Sequence, residues 1–155
     1  MSTPKILENP PLKPNDVLIG ALLRVPAHAI HRRIVRELNA VGFHEINLSH
    51  IPVMQFPGPD GARPGELAER GGMSKQAMNK LLRSLEDAGY LVRSAAPAEG
   101  RMRIVRLTAR GHAAYAGIYD ILYGIELEWT AELGHKDFTE LKRLLVRVWE
   151  SPLSS

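Results

Sequence analysis

The sequence predicts a mainly helical α+β fold in which one small β-hairpin interrupts a run of helices. Three observations carry that expectation. Apolar residues recur at helical spacing through residues 16–40, 109–133 and 137–150. A short helix, a glycine pair and a capped second helix follow one another between Pro64 and Gly89. Between Tyr90 and Thr108 the period changes to two, in "YLVRS" and "RIVRLT", with turn residues between them.

Each element has its own signals. Residues 1–15 carry Pro4, Pro10, Pro11 and Pro14 with little periodicity and read as a flexible or extended arm. Asn15 or Asp16 is a plausible N-cap for a helix to about Ala40, with Leu18, Leu22, Val25, Ala29, Ile30, Ile34 and Leu38 at helical spacing. Pro26 inside that pattern should kink or split the helix, and Gly42 should stop it. A second helix fits Ser49 to Gln55. "FPGPDGARPGE" is then a connector with room for a short edge strand near Ala62 and Arg63.

Pro64 can open a helix to Arg70, ended by Gly71 and Gly72. Ser74 is the natural N-cap of the next helix, which Gly89 closes. After the hairpin, whose loop is "AAPAEGRM", Thr108 caps a long helix from Ala109 to about Leu133. Tyr115, Ile118, Ile121, Leu122, Ile125 and Trp129 run along one side of it. Gly134 ends that helix. Asp137 with Glu140 gives a capping signal for the last one, where Leu141, Leu144, Leu145 and Val148 form an apolar face.

Composition narrows the function classes. In 155 residues, 45% apolar and 24% charged content argues against disorder. The absence of cysteine removes disulfides, zinc–cysteine sites and thiol redox sensing. The apolar run from Val17 to Leu23 stops at Arg24, too short for a bilayer, and no signal peptide is recognisable. A cytoplasmic protein is expected, with no membrane partner. Residues 62–111 hold ten Lys/Arg against five Asp/Glu, whereas the rest holds ten against twelve. A basic middle suits a polyanionic partner.

The helix after Ser74 sharpens that expectation. Lys75, Lys80 and Arg83 precede Glu86 and Asp87, although the helix macrodipole favours the reverse order. On a helical projection Ala77, Met78, Leu81, Leu82, Leu85 and Ala88 share one face. Gln76, Asn79, Lys80 and Arg83 lie opposite, with Lys75 at their margin. A helix entering the DNA major groove end-on touches base edges with its first turns only, so acids at its far end do no harm. Gln and Asn suit adenine, Arg suits guanine, and Lys meets guanine or phosphate. Ser74 can act as N-cap or as a phosphate donor. Helix, glycine turn, capped helix and hairpin together make a winged helix-turn-helix, with Arg101 and Arg103 at the wing tip suited to a minor groove.

These residues also carry a resemblance. "ELAERGGMSKQAMNKLLRSLEDAGYLVR" followed by "RIVRLTARG" resembles the MarR family of bacterial transcription regulators. The matched pieces are the "LAE" helix, "MSKQAMNKLLRSLE-x-x-GYL-x-R" and "V-x-LT-x-x-G", over about Pro64 to Gly111. The resemblance implies a ligand-responsive repressor that binds a pseudo-palindromic DNA site as a homodimer, with no enzymatic activity. It divides the chain into an arm (1–15), N-terminal helices for dimerisation and support (16–55), the winged lobe (56–108), C-terminal dimerisation helices (109–150) and a tail (151–155). One departure stands in the wing. The family often has a "D-x-R-R"-like run, where this chain has "PAEGRMR"; either Glu99 replaces the acid or the arginines are less fixed.

The resemblance further implies a small aromatic or phenolic effector, at positions that here draw on His44, His50, Met54, Tyr115 and Tyr119. Some members of the family bind zinc. The pairs His28/His31 and His44/His50 lack a carboxylate cluster and cysteines, so neither metal nor other cofactor is expected. No catalytic motif occurs; "GGMSKQ" misses the G-x-S-x-G pattern because Gln76 stands at the second glycine. A winged helix that docks protein and binds no DNA is the alternative reading.

Overall fold

The computed structural model of the chain describes residues 17–55, 58–95 and 103–152. The expected arm, the Asn15/Asp16 cap, Glu99 and Arg101 lie outside the described residues. The order is α1 (Ile19–Ala40), α2 (Ile51–Met54), α3 (Pro64–Arg70), α4 (Lys75–Asp87), β1 (Leu91–Ala95), β2 (Arg103–Leu107), α5 (Ala109–Leu133) and α6 (His135–Trp149).

The core is built where the short elements meet the ends of the long helices. Ile34 and Leu38 from the second half of α1 pack with Ile51 and Met54 of α2, Leu67 of α3, and Met78, Leu82 and Leu85 of α4. Tyr90, Leu91, Val105, Ala114 and Ile118 complete the cluster. This is the hydrophobic effect acting on the faces that the sequence pattern marks. It seats α4 on its apolar side and leaves its polar side outward.

Four expectations need correction. Pro26 does not split α1, which runs unbroken through it. The helix ends are held elsewhere: α1 starts without a side-chain cap after Leu18, and α2 spans only four residues. No edge strand forms near Ala62. Gly61 N–H donates to the Val105 carbonyl at 2.7 Å and Val105 N–H to the Ala62 carbonyl at 2.9 Å, so the connector is tied to β2 without becoming a strand. Asp137 does not cap α6. The helix begins two residues earlier at His135, after Gly134 at φ +84°, which leaves Asp137 in the first turn where the macrodipole favours it.

The remaining boundaries follow their signals. Gly72 takes φ +58° in the turn between α3 and α4, a conformation that only glycine adopts without strain. The hairpin is antiparallel, with Leu91 opposite Leu107 and Ala95 opposite Arg103. Thr108 Oγ1 caps α5 by accepting from Gly111 N–H at 3.1 Å, and it donates to the Gly89 carbonyl at 2.6 Å. A Cβ on Gly111 would lie 1.9 Å from the Tyr90 carbonyl oxygen. The glycine of "LT-x-x-G" is therefore a packing requirement between α5 and the turn before β1. Nearby, the Tyr90 hydroxyl donates to Glu45 at 2.7 Å, and the Arg110 guanidinium sits 4.7 Å over the Tyr90 ring. Burial, then the bond to Glu45, pushes the Tyr90 hydroxyl pKa up to about 12.

The far ends of the long helices are bare. Leu22, Leu23 and Val25 of α1 are exposed, as are Leu141, Leu144, Leu145, Val148 and Trp149 of α6. Only Phe138 of α6 is buried. An open apolar groove of about 690 Å³ lies between these surfaces, lined by Leu22, Pro26, Ile30, Trp129, Leu141 and Leu145 among others. Arg33 bridges α1 to α5 beside it, with Nη2 2.7 Å from Glu128. Among the described residues no helix is long and apolar enough to cross a membrane.

Candidate nucleic-acid interface

The site is the outward side of α4 with its neighbours. Ser74 Oγ accepts from Ala77 N–H at 3.1 Å and so caps the helix as expected. An oxygen that accepts there keeps its own proton, so the hydroxyl remains able to donate to a phosphate. Met78, Leu82 and Leu85 anchor the inner face. Lys75, Gln76, Lys80 and Arg83 are exposed on the outer one. Ala77, expected on the apolar face, is exposed too. Its position in the first turn lets the surface there stay low beside Gln76 and Lys80.

Asn79 sits differently from its neighbours. Its Nδ2 donates to the Lys75 carbonyl at 2.9 Å, and its Oδ1 accepts from Arg93 Nη1 at 3.1 Å. Arg93 also donates to Glu86 Oε2 through Nε at 3.0 Å and Nη2 at 2.7 Å. The Arg93 guanidinium, with a smaller contribution from the charge of Arg103, holds the Glu86 carboxyl below the usual carboxylate range. Glu86 is thus answered from within the chain, while Asp87 stays exposed on the outer side.

Arg93 is the residue that sequence reasoning missed. A signal was present: in a strand, side chains alternate, and the buried Leu91 places Arg93 on the same, inward side. An arginine there needs a carboxylate.

Arg103 opens β2 and faces the start of α4. With Arg63, Lys75 and Asn79 it lines a cleft of about 530 Å³ between α3, α4 and the wing. It pairs with Ala95 on the last described rung before the wing loop, and from there it reaches beside the helix. Lys75, Lys80, Arg83 and Arg103 make one basic surface around the exposed turns of α4. An array of exposed cations with an exposed amide is suited to phosphates and base edges.

The five residues of the effector expectation are spread over three environments. His50 and Met54 are buried. His50 Nε2 lies 3.2 Å from Ser84 Oγ of α4, and Nδ1 accepts from Asn47 N–H at 3.3 Å. Tyr115 and Tyr119 pair edge to face on α5, centroids 5.2 Å apart. The Tyr115 ring closes over Gly58, where a Cβ would lie 2.7 Å from it. His44 is on an exposed turn. His31, from the considered metal pair, bonds Gln55 at 3.2 Å. Among the described residues no group of three or more His, Cys, Asp or Glu is placed to hold a metal ion.

A sequence profile of the MarR family matches residues 53–102. The HTH-type transcriptional repressor Rv2887 of Mycobacterium tuberculosis is 36% identical over 94 residues, which span 61% of this chain and 66% of that relative. This chain belongs to the MarR family. The crystal structure of that MarR family protein in complex with salicylic acid superposes with a TM-score of 0.63 at 29% identity, covering 86% of this chain and 98% of the other. Two further solved structures share the MarR-type fold. The repressor CouR, bound to a 23-mer DNA duplex, matches at 22% identity and TM-score 0.65, covering 84% of this chain and 92% of its own. Apo MarR from E. coli matches at 21% and 0.66, covering 85% and 97%.

Proposed function

We propose that this chain is a DNA-binding transcription regulator, acting in the cytoplasm as a homodimeric repressor on a pseudo-palindromic site and catalysing no reaction. One observation carries the reading. The N-terminal turns of α4 are capped, exposed and cationic, on a helix whose inner face is locked into the core. Lys75, Lys80, Arg83 and Arg103 supply phosphate and groove contacts, Ser74 adds a phosphate donor, and Gln76 offers a base-reading amide. Arg101 is proposed to extend this surface along the wing. The bare apolar ends of α1 and α6 support a second copy, because one chain leaves them uncovered. The repressor function named for the relative at 36% identity supports the same reading.

The salicylic acid held by the relative of 29% identity supports a small aromatic or phenolic effector here. His44, His50, Met54, Tyr115 and Tyr119 are the positions proposed for it. His50 gives such a ligand a route to α4, since it already bonds Ser84.

Footprinting tests the reading. The duplex upstream of the chain's own gene should show an inverted repeat protected at two centres about one helical turn, roughly 34 Å, apart. No protection at that region or at any site enriched from random duplexes would overturn it.

A further inference from the structure

We propose that Arg93 is a positioning residue, which locks the wing to α4 and in doing so withdraws Asn79 from base reading. The proposal rests on the DNA-binding reading above. An asparagine reads adenine by offering its carbonyl oxygen and its amide nitrogen together. Both ends of the Asn79 amide are engaged inside the chain, Nδ2 with the Lys75 carbonyl and Oδ1 with Arg93. The Arg93 side chain is only 10% exposed. Turning Asn79 outward would leave a largely buried guanidinium N–H without its acceptor. Glu86, seven residues on and two turns along the same side of α4, takes the other arm of the fork.

The consequence reaches the wing. Arg93 pairs with Val105 across the hairpin, two rungs from the pair of Ala95 with Arg103. Holding Arg93 against both halves of α4 therefore fixes where Arg103 stands relative to Lys75. Asn79 and Arg93 then serve affinity through the spacing of helix and wing, and Gln76 carries the base preference.

The test uses duplexes enriched from a random-sequence pool by the wild-type chain. Asn79→Ala and Arg93→Gln should each weaken binding to the enriched duplex by about five- to tenfold. The double variant should be no weaker than the worse single one, because both break the same link. Pools enriched by Asn79→Ala should show the wild-type base preferences at every position. An Asn79→Ala chain of unchanged affinity, or one that loses preference at a single base pair of each half-site, overturns the proposal. So do losses that multiply in the double variant. Should Arg93→Gln fail to fold by circular dichroism, Glu86→Gln replaces it in the cycle, and the base preferences of Asn79→Ala decide alone. A wild-type chain that enriches no duplex overturns the DNA reading and this proposal with it; relaxed preference in Asn79→Ala overturns this proposal only.

Discussion

His50 Nε2 lies 3.2 Å from Ser84 Oγ, joining a buried ring at the start of α2 to α4. Its Nδ1 accepts from Asn47 N–H at 3.3 Å, so the neutral ring with its proton on Nε2 satisfies both partners. A second ring proton would point at the Asn47 N–H. Burial accordingly lowers the His50 pKa below its ordinary 6.5, and burial lowers His31 likewise.

The sign of the pH effect follows. Below about pH 6.5 the unfolded chain gains a proton that the folded chain resists, so the unfolded state binds more protons. The contribution to stability is complete above that pH and is lost as pH falls through the lowered folded value. The thermal midpoint should drop between about pH 7.5 and about pH 5.5, and His50→Gln should flatten that drop. Equal pH slopes in the two chains would exclude His50 as the source.

Gly111→Ala should destabilise the chain by about 3 kcal/mol or more, because its Cβ would sit 1.9 Å from a main-chain carbonyl that cannot step aside. Gly65→Ala, with nothing within 4 Å of its Cβ, should change stability little. Denaturant titration of both variants checks the contrast, which fails if the two midpoints move together.

Leu145 lines the apolar groove between α1, α5 and α6. Leu145→Asp should turn a dimer into a monomer in sedimentation equilibrium while helical circular dichroism is retained. A variant that stays dimeric would place the interface on another surface.

Much of this was legible in the residues. Periodicity and caps gave α3, α4 and α5 their bounds, because Pro64, Ser74 and Thr108 each act within one turn. Pro26 left a kink or a split open, and the continuous run of α1 from Ile19 to Ala40 excludes the split. Helical projection placed Asn79 beside Gln76 and Lys80, yet projection knows nothing of what lies across from a helix. The Arg93 contact comes from a strand fourteen residues on, and only folding brings it there. Projection likewise shows Glu86 as an acid at the far end of the helix and cannot show that Arg93 answers it.

Gln76 is exposed in the first turn of α4. Gln76→Ala should relax base preference at one position of each half-site, costing about 1–3 kcal/mol of discrimination there. Enrichment from random duplexes by wild type and variant reads this directly; an unaltered profile would assign base reading to another side chain.

The central claim, that the exposed turns of α4 meet DNA phosphates in both protomers of a dimer, is tested most directly by salt dependence. Duplex affinity is measured across a range of salt concentrations for the wild type and for Lys80→Ala/Arg83→Ala. Four lost cations per dimer should shrink the magnitude of the log–log slope by about 3 to 4 and lower the affinity at every salt concentration. An unchanged affinity with an unchanged slope would contradict the account.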